Sequence, residues 1–202
     1  SYDKGKKSFE GRRYKKDIAH GHDALEKFDQ GLYSGCARKN NKRKIMLIGN
    51  HEDRIDRAVE DNSELEGTIH IDDLQYKEFG WEVYSFQEPV NVDGVYYSHC
   101  FPNGIMGKPI SGENIARTLL NKNKISSTVG HSHLLDYAIC SSPSGKKFMG
   151  LSTGCYLNHK EEYASSTQRM WWSGLIVKRN VSKGEYDLET IQYSRIKKMY
   201  DK

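Results

Sequence analysis

The stretch Lys44-Ile-Met-Leu-Ile-Gly-Asn-His-Glu52 directs the prediction of both fold and site, because an apolar run stops at a glycine and polar side chains follow at once. An apolar run that ends at Gly49 is typical of a buried strand entering a loop. In layered α/β domains, ligands bind just beyond the carboxyl ends of such strands. Three polar side chains would be costly in a core. The stretch therefore predicts a functional site at Asn50, His51 and Glu52.

Two later segments have the same design, an apolar strand that ends in histidine. They are Val95-Tyr-Tyr-Ser-His99 and Ser127-Thr-Val-Gly-His-Ser-His133. On an extended chain, the rings of His131 and His133 would share one face, about 6.6 Å apart along the backbone. Gly130 allows a tight bend just before them. Asn50 and His51 alone would fit a loop cap equally well, but three strand ends with the same chemistry favour a common site.

The pattern along the rest of the chain predicts helices first and then mostly strands. A helical periodicity runs from Phe9 to Tyr33, and a second follows Glu52 and ends near Gly67. A third helix would begin with Ser111 as its cap and carry apolar residues on one face: Ile115, Ala116, Leu119 and Leu120.

Several other segments have the alternating or apolar pattern of strands. Asp93-Gly94 is a hairpin-type turn, and the tail predicts a second hairpin around Ser182-Lys-Gly184. The predicted strands are Thr68–Ile71, Trp81–Phe86, Val90–Val92, Leu134–Cys140, Lys147–Ser152 and the two arms of the tail hairpin. The predicted fold class is α/β, in an α+β arrangement with a mixed sheet layered by helices.

Composition limits the class of protein. A chain of 202 residues suits one domain, and 29% charged with 36% hydrophobic residues is ordinary for a globular protein. No apolar run approaches the roughly 18 residues that a membrane span requires, so we expect no membrane association. The four cysteines form no C-x-x-C pair, which fits a reducing cytoplasm.

The net charge is +4, and the basic residues cluster at 4–16 and 38–44. Such clusters can line a phosphate-rich partner, so nucleic acid is one candidate partner. A solvated helix face and a loop explain the clusters as well, and both interpretations stay open.

Asn50, His99, His131 and His133 are the candidate metal ligands. Imidazole nitrogen and amide oxygen suit Mn, Fe, Zn or Ni but not Ca. Hydrolytic sites with two metals hold their ions about 3.5–4 Å apart. A single histidine of this set would more simply be a hydrogen-bonded surface residue, and the set as a whole favours a metal site.

Gly49-Asn-His-Glu52, His99 and Gly130-His-Ser-His133 resemble the last three motif blocks of the calcineurin-like metallophosphoesterases. The blocks of that family run D-x-H, G-D-x-x-D, G-N-H-[DE], H and G-H-x-H. The resemblance covers roughly residues 42–154, and small phage-encoded members are the most similar in general character. It implies a β-sandwich flanked by helices, two divalent metal ions and a phosphate-ester substrate.

The resemblance also implies a role for each matching residue. Asn50, His99 and His131 match the ligands of one metal, and His133 matches a ligand of the other. His51 matches the catalytic histidine that contacts the scissile phosphate and assists the leaving oxygen. Arg54, with Glu52, comes next as a substrate-positioning group, although a surface salt bridge explains either residue as well.

The chain departs from the family pattern at its start, because no D-x-H or G-D-x-x-D occurs before Gly49. We therefore expect residues 1–202 to be a single domain that lacks the first two βα units. Loss of the bridging carboxylate would weaken two-metal binding and activity. Strands left uncovered would favour an oligomer.

The leading functional prediction is a metal-dependent phosphoesterase that hydrolyses phosphomonoesters or phosphodiesters, with nucleotides or nucleic acids as candidate substrates. The alternative is a non-catalytic module of the same fold that binds nucleic acid or protein. A third interpretation, a plain basic nucleic-acid-binding domain, predicts aromatic residues interleaved with basic ones. Trp171-Trp172 lacks basic neighbours in that phase, so this interpretation ranks last.

Overall fold

The computed structural model describes residues 13–34, 42–159 and 161–200. The chain divides into two compact units, Ser1–Ser85 and Phe86–Lys202, and each is described by itself. Most of the two basic clusters, the first residues of the helix predicted from Phe9, and Cys36 lie outside the described residues. Within the described part of the chain, no helix combines the length and apolarity needed to cross a bilayer.

The first unit holds two helices and a short parallel pair of strands. Its elements are α1 (Tyr14–Tyr33), β1 (Ile45–Leu47), α2 (Asp53–Asp61), 3-10 turns at Ser63–Leu65 and Ile71–Leu74, and β2 (Glu82–Tyr84). The predicted strand before Gly49 is confirmed as β1, which pairs with β2 in parallel. Helix α1 ends at Tyr33, as predicted.

Lys44 anchors β1 to its surroundings although its side chain is almost buried. Its ammonium donates to both carboxylate oxygens of Asp29 at 2.8 Å and also to the Phe79 carbonyl. The rings of Tyr33 and Trp81 lie 5.9 and 5.4 Å from the charge. Burial of this lysine is tolerated because the charge has a partner and donates hydrogen bonds. The contact ties α1 to the start of the strand.

The strand predicted at Thr68–Ile71 is wrong, since the chain forms a 3-10 helix at Ile71–Leu74 instead. The ring nitrogen Nδ1 of His70 accepts from the Asp72 N–H at 3.1 Å. The Asp73 carboxylate in turn accepts from the His70 N–H at 2.9 Å. This reciprocal capping satisfies backbone groups locally, and so competes with a sheet ladder.

The second unit is built on a five-stranded mixed sheet with the order β3–β4–β5–β7–β6. The strands are β3 (Val90–Val92), β4 (Val95–Tyr97), β5 (Ser127–Val129), β6 (Leu135–Ser141) and β7 (Lys147–Thr153). Strands β4, β5 and β7 are parallel neighbours, and the edge strands β3 and β6 are antiparallel to them. The parallel arrangement brings the carboxyl ends of the three central strands to one edge of the sheet.

The two faces of this sheet have different covers. Helix α3 (Ile115–Asn123) packs on one face, and the hairpin of β8 (Gly174–Ser182) and β9 (Glu185–Gln192) packs on the other. Successive side chains of β4 point to opposite faces of the sheet. Tyr96 packs in the core between the sheet and α3 (the helix-side core), whereas Val95 and Tyr97 pack in the core between the sheet and the hairpin (the hairpin-side core). Helix α4 (Tyr193–Tyr200) follows. The mixed α/β class is confirmed, and so is the tail hairpin.

The apolar face predicted for α3 is confirmed, but its predicted cap is not. Ile115, Ala116, Leu119 and Leu120 are all buried. The helix starts after Asn114, and the Asn114 side chain makes no capping hydrogen bond. Instead, the Ala116 N–H donates to a carboxylate oxygen of Asp136, on β6, at 2.8 Å. Ser111 is therefore not the cap, because the carboxylate of Asp136, from a different element, takes the capping role that Ser111 was predicted to have.

Candidate metal-binding histidines

His99 and His131 come into direct contact in the second unit. The Nε2 atom of His99 lies 3.1 Å from the Nδ1 atom of His131. The ring centroids are 5.1 Å apart and the planes meet at 74°. Both residues are partly buried. Two ring nitrogens from residues 32 positions apart in the chain therefore face each other at close range.

The sheet explains why these histidines meet. His99 follows β4 and His131 follows β5, and these two strands are parallel neighbours. Backbone hydrogen bonds continue beyond the strands, from the Ser98 N–H to the Thr128 carbonyl at 3.3 Å and from the Gly130 N–H to the His99 carbonyl at 3.2 Å. The segments that follow β4 and β5 therefore stay in register up to His99 and His131, so the two strand ends meet as predicted.

The pair fits two ligands of one metal ion. Two ligand nitrogens about 2.1 Å from one ion lie about 3.0 Å apart at a right angle and about 3.4 Å apart at the tetrahedral angle, and the observed separation of 3.1 Å falls between these values. The same distance suits a hydrogen bond in which one ring nitrogen donates to the other. Among the residues that the structure describes, no group of three or more His, Cys, Asp or Glu side chains is arranged to hold an ion. His99 and His131 are therefore a pair of candidate ligands.

Phe86 and Cys100 lie next to His99. The ring of Phe86 lies 6.1 Å from that of His99, centroid to centroid. Cys100 follows His99 and is buried, and burial raises the pKa of its thiol. The amide of Gln87 donates weakly to this sulfur at 3.8 Å. The buried Cys100 side chain is part of the core of the second unit.

His133 adopts a different conformation from the predicted one. Residues 131 and 132 form a turn, and His133 has φ = 62°, in the left-handed region that non-glycine residues seldom adopt. The expectation that His131 and His133 share one face of an extended strand is therefore wrong. The turn is fixed by Ser132, whose hydroxyl bonds that of Ser152 at 2.9 Å.

Trp171 holds His133 from the side, and sequence reasoning did not find this contact. The two rings pack edge to face with centroids 4.2 Å apart and planes at 86°. The next residue, Trp172, donates its backbone N–H to the His133 carbonyl at 3.0 Å. Both contacts join positions far apart in the chain, so no local sequence pattern predicts them. Residues in rarely populated backbone conformations, such as His133, often cluster at functional sites.

The other predicted site residues belong to the first unit. Residues 50–52 form a turn between β1 and α2, closed by the Glu52 carboxylate, which accepts from the Gly49 N–H at 3.0 Å. The side chain of His51 is exposed, whereas Asn50 and Arg54 are partly buried. The Asn50 carbonyl accepts from Arg57 at 3.4 Å. Glu52 therefore has a structural role, and His51 is presented to solvent.

The structure thus assembles the predicted site in parts. It brings His99 and His131 together, places His133 against Trp171, and sets Asn50, His51 and Arg54 around one turn of the first unit. The ligand and catalytic roles of these six residues stay predictions.

Comparison with known proteins identifies no relative, since no protein-family model, curated protein or solved structure matches this chain.

Proposed function

We propose that this protein is a metal-dependent phosphoesterase of the calcineurin-like type. The observation that carries the proposal is the approach of His99 Nε2 to His131 Nδ1 at the ends of two parallel strands. A layered sheet with a helix on one face and a hairpin on the other supports the proposed fold family. The motif spacing of the sequence supports the same family independently.

His99 and His131 would hold one divalent ion, and His133 would serve a second. Mn, Fe, Zn and Ni are the candidate metals for imidazole ligands. Bound ions would polarise the phosphoryl oxygens and lower the pKa of a coordinated water. The continuous backbone hydrogen bonds between the strand ends would keep the first two rings in position for this role.

The remaining roles come from the resemblance and are part of the proposal. Asn50 would add an amide oxygen to the metal ligands, and Arg54 would bind a phosphate oxygen. His51 would donate a proton to the departing oxygen, since an imidazole changes its charge near neutral pH. Exposure of the His51 side chain supports this assignment, because a residue that meets substrate must be accessible.

Hydrolysis of an aryl phosphodiester with added Mn²⁺ tests the proposal. We expect metal-dependent hydrolysis that falls by at least about 100-fold in His99→Ala and in His131→Ala, since each removes a ligand. His51→Ala should lower kcat and leave the amount of bound metal unchanged. His159→Ala is the matched control, because this histidine of the second unit is exposed and pairs with Glu161 at 2.7 Å.

The proposal would be overturned by a protein that binds no divalent metal and hydrolyses neither phosphomonoesters nor phosphodiesters. Nucleic-acid binding without hydrolysis would instead support the alternative, a non-catalytic module of this fold.

A further inference from the structure

Residues 101–110 form a loop, here called the finger, whose two end residues, Phe101 and Ile110, are buried in the core. The Ile110 N–H donates to the Phe101 carbonyl at 2.9 Å. Pro102 and Pro109 form an antiparallel bridge above this root. The finger is therefore shaped by its own backbone contacts.

The tip of the finger is apolar and exposed. Ile105 is 103% exposed and Met106 is 77% exposed. Gly104 and Gly107 flank them with φ of 72° and 66°, and the Gln87 amide donates to the Gly107 carbonyl at 2.9 Å. A loop that presents two large apolar side chains to water indicates an interaction surface.

The finger lies beside the histidine pair. It begins two residues after His99, and its roots Phe101 and Ile110 belong to the same core cluster as Val129. Val129 ends β5, and Gly130 and His131 follow at once. A ligand held at the histidines would therefore lie near the root of the finger.

A second segment that reaches the histidines has the same chemistry. Residues 169–171, here called the tryptophan segment, are Arg169, Met170 and Trp171. Met170 is 57% exposed and Arg169 is exposed, while Trp171 packs against His133. The finger likewise combines its apolar tip with an exposed cation, Lys108. Each segment thus pairs apolar surface with positive charge.

This combination fits a polynucleotide better than a membrane. Ile and Met side chains act as wedges between bases, aromatic rings stack on bases, and Lys and Arg bind phosphates. A bilayer would need much more apolar area, since even one myristoyl chain gives only marginal membrane binding.

We propose that the substrate of this phosphoesterase is a single-stranded polynucleotide, whose bases contact Ile105 and Met106 of the finger and whose phosphates contact Lys108 and Arg169. The proposal rests on the proposed function. It adds a substrate class and two recognition segments, the finger and the tryptophan segment.

The test uses the full chain and compares two substrates. The double variant Ile105→Ser/Met106→Ser should bind a fluorescent single-stranded oligonucleotide at least about 10-fold more weakly, by anisotropy, because it removes the apolar contacts with the bases. Its kcat/KM for a small aryl phosphodiester should stay within about twofold of the unaltered protein, since that substrate carries no neighbouring bases to contact Ile105 and Met106 at the tip of the finger. Leu175→Ser is the control, because Leu175 is a 47% exposed apolar residue on β8.

Three further measurements separate binding by the finger from effects on folding and on catalysis. Lys108→Ala should reduce the slope of log K against log salt by about one, as expected for one lost phosphate contact. A bromouracil-substituted oligonucleotide should crosslink to residues 104–107. Equal melting temperatures of the variants would show that the fold is retained.

The proposal is overturned if the double variant binds the oligonucleotide as tightly as the unaltered protein. It is also overturned if the substitutions instead abolish self-association in sedimentation or binding to anionic vesicles. Hydrolysis of the small phosphodiester by the unaltered chain tests the proposed function separately, so the two failures are distinguishable.

Discussion

Lys178 lies on β8 with its ammonium enclosed by the hairpin-side core of the second unit. The Nζ atom donates to Tyr97 Oη at 3.1 Å and also to Thr128 Oγ1. The rings of Tyr97 and Tyr186 lie 4.2 and 4.4 Å from the charge, measured to their centroids. These contacts connect β8 to β4, β5 and β9. Burial outweighs them and lowers the pKa of Lys178 from 10.5 to about 7.

The shifted lysine predicts how stability depends on pH. Between about pH 7 and pH 10.5, the unfolded chain binds a proton at Lys178 that the folded protein does not, so stability should rise with pH in this window. From pH 6.5 to 8.5 we expect a gain of about 1–2 kcal/mol in the free energy of unfolding from this residue. Below about pH 7 both states are protonated and the cost of burial is present in full.

Urea unfolding of the unaltered protein and of Lys178→Met at several pH values measures this effect. The difference between the two chains isolates Lys178 from Cys100 and Cys155, whose raised pKa values give a slope of opposite sign at the alkaline end. Parallel stability curves for the two proteins would contradict the prediction.

At the level of elements, α3 depends on contacts from the sheet beneath it. The Asp136 carboxylate accepts from the Ala116 N–H in the first turn of the helix, where the helix dipole also favours negative charge. On the same face, a Cβ atom at Gly150 would lie 2.4 Å from the Ala116 carbonyl oxygen. Strand β7 therefore needs a glycine at this position, because helix and strand approach too closely for any side chain.

Asp136→Ala should lower the free energy of unfolding by about 1–2 kcal/mol, because it removes both the cap and a favourable charge at the helix N-terminus. Urea denaturation followed by far-UV circular dichroism measures the change. Ser111→Ala is the matched control, since this serine occupies the cap position suggested by the sequence and should alter stability by less than about 0.5 kcal/mol. Equal losses in both variants would show that the first turn is not capped by Asp136.

Gly150→Ala tests the close packing of α3 on β7. The added methyl group meets backbone, which cannot rotate away, so we expect a loss of about 1–3 kcal/mol in the free energy of unfolding. Gly145→Ala serves for comparison, because nothing lies within 4 Å of its Cβ position and its cost comes only from a φ of 82°. A larger loss at Gly145 than at Gly150 would contradict the packing argument.

For the molecule as a whole, the histidine pair predicts that divalent metal stabilises the fold. An ion that binds only the folded state adds about 2.7 kcal/mol when its concentration is 100 times the Kd. For a chain of this length the melting temperature should rise by about 5–10 °C on adding Mn²⁺. Differential scanning calorimetry of the metal-free protein measures the shift.

His99→Ala and His131→Ala should each abolish the metal-induced shift, whereas His159→Ala should keep it. This readout does not depend on activity, so it tests ion binding even if the preferred phosphate ester is unknown. Equal shifts in all four proteins would place the bound ions elsewhere.

Much of the local architecture could be predicted from the sequence, because it follows from periodicity and turn chemistry. The apolar run before Gly49 forms β1, the Asp93-Gly94 turn joins β3 to β4, and Ser182-Lys-Gly184 joins β8 to β9. The buried face of α3 was also predicted. Each of these features depends on residues close together in the chain, where backbone preference and burial pattern act directly.

Tertiary structure alone decided the contacts that give the candidate site its form. Strand order brought His99 against His131, the chain beyond β7 returned to place Trp171 on His133, and β6 supplied the Asp136 cap. The left-handed conformation of His133 replaced a predicted extended segment for the same reason. Hydrogen bonds and packing between distant residues outweigh local β preference, and a single sequence does not show which distant residues will meet.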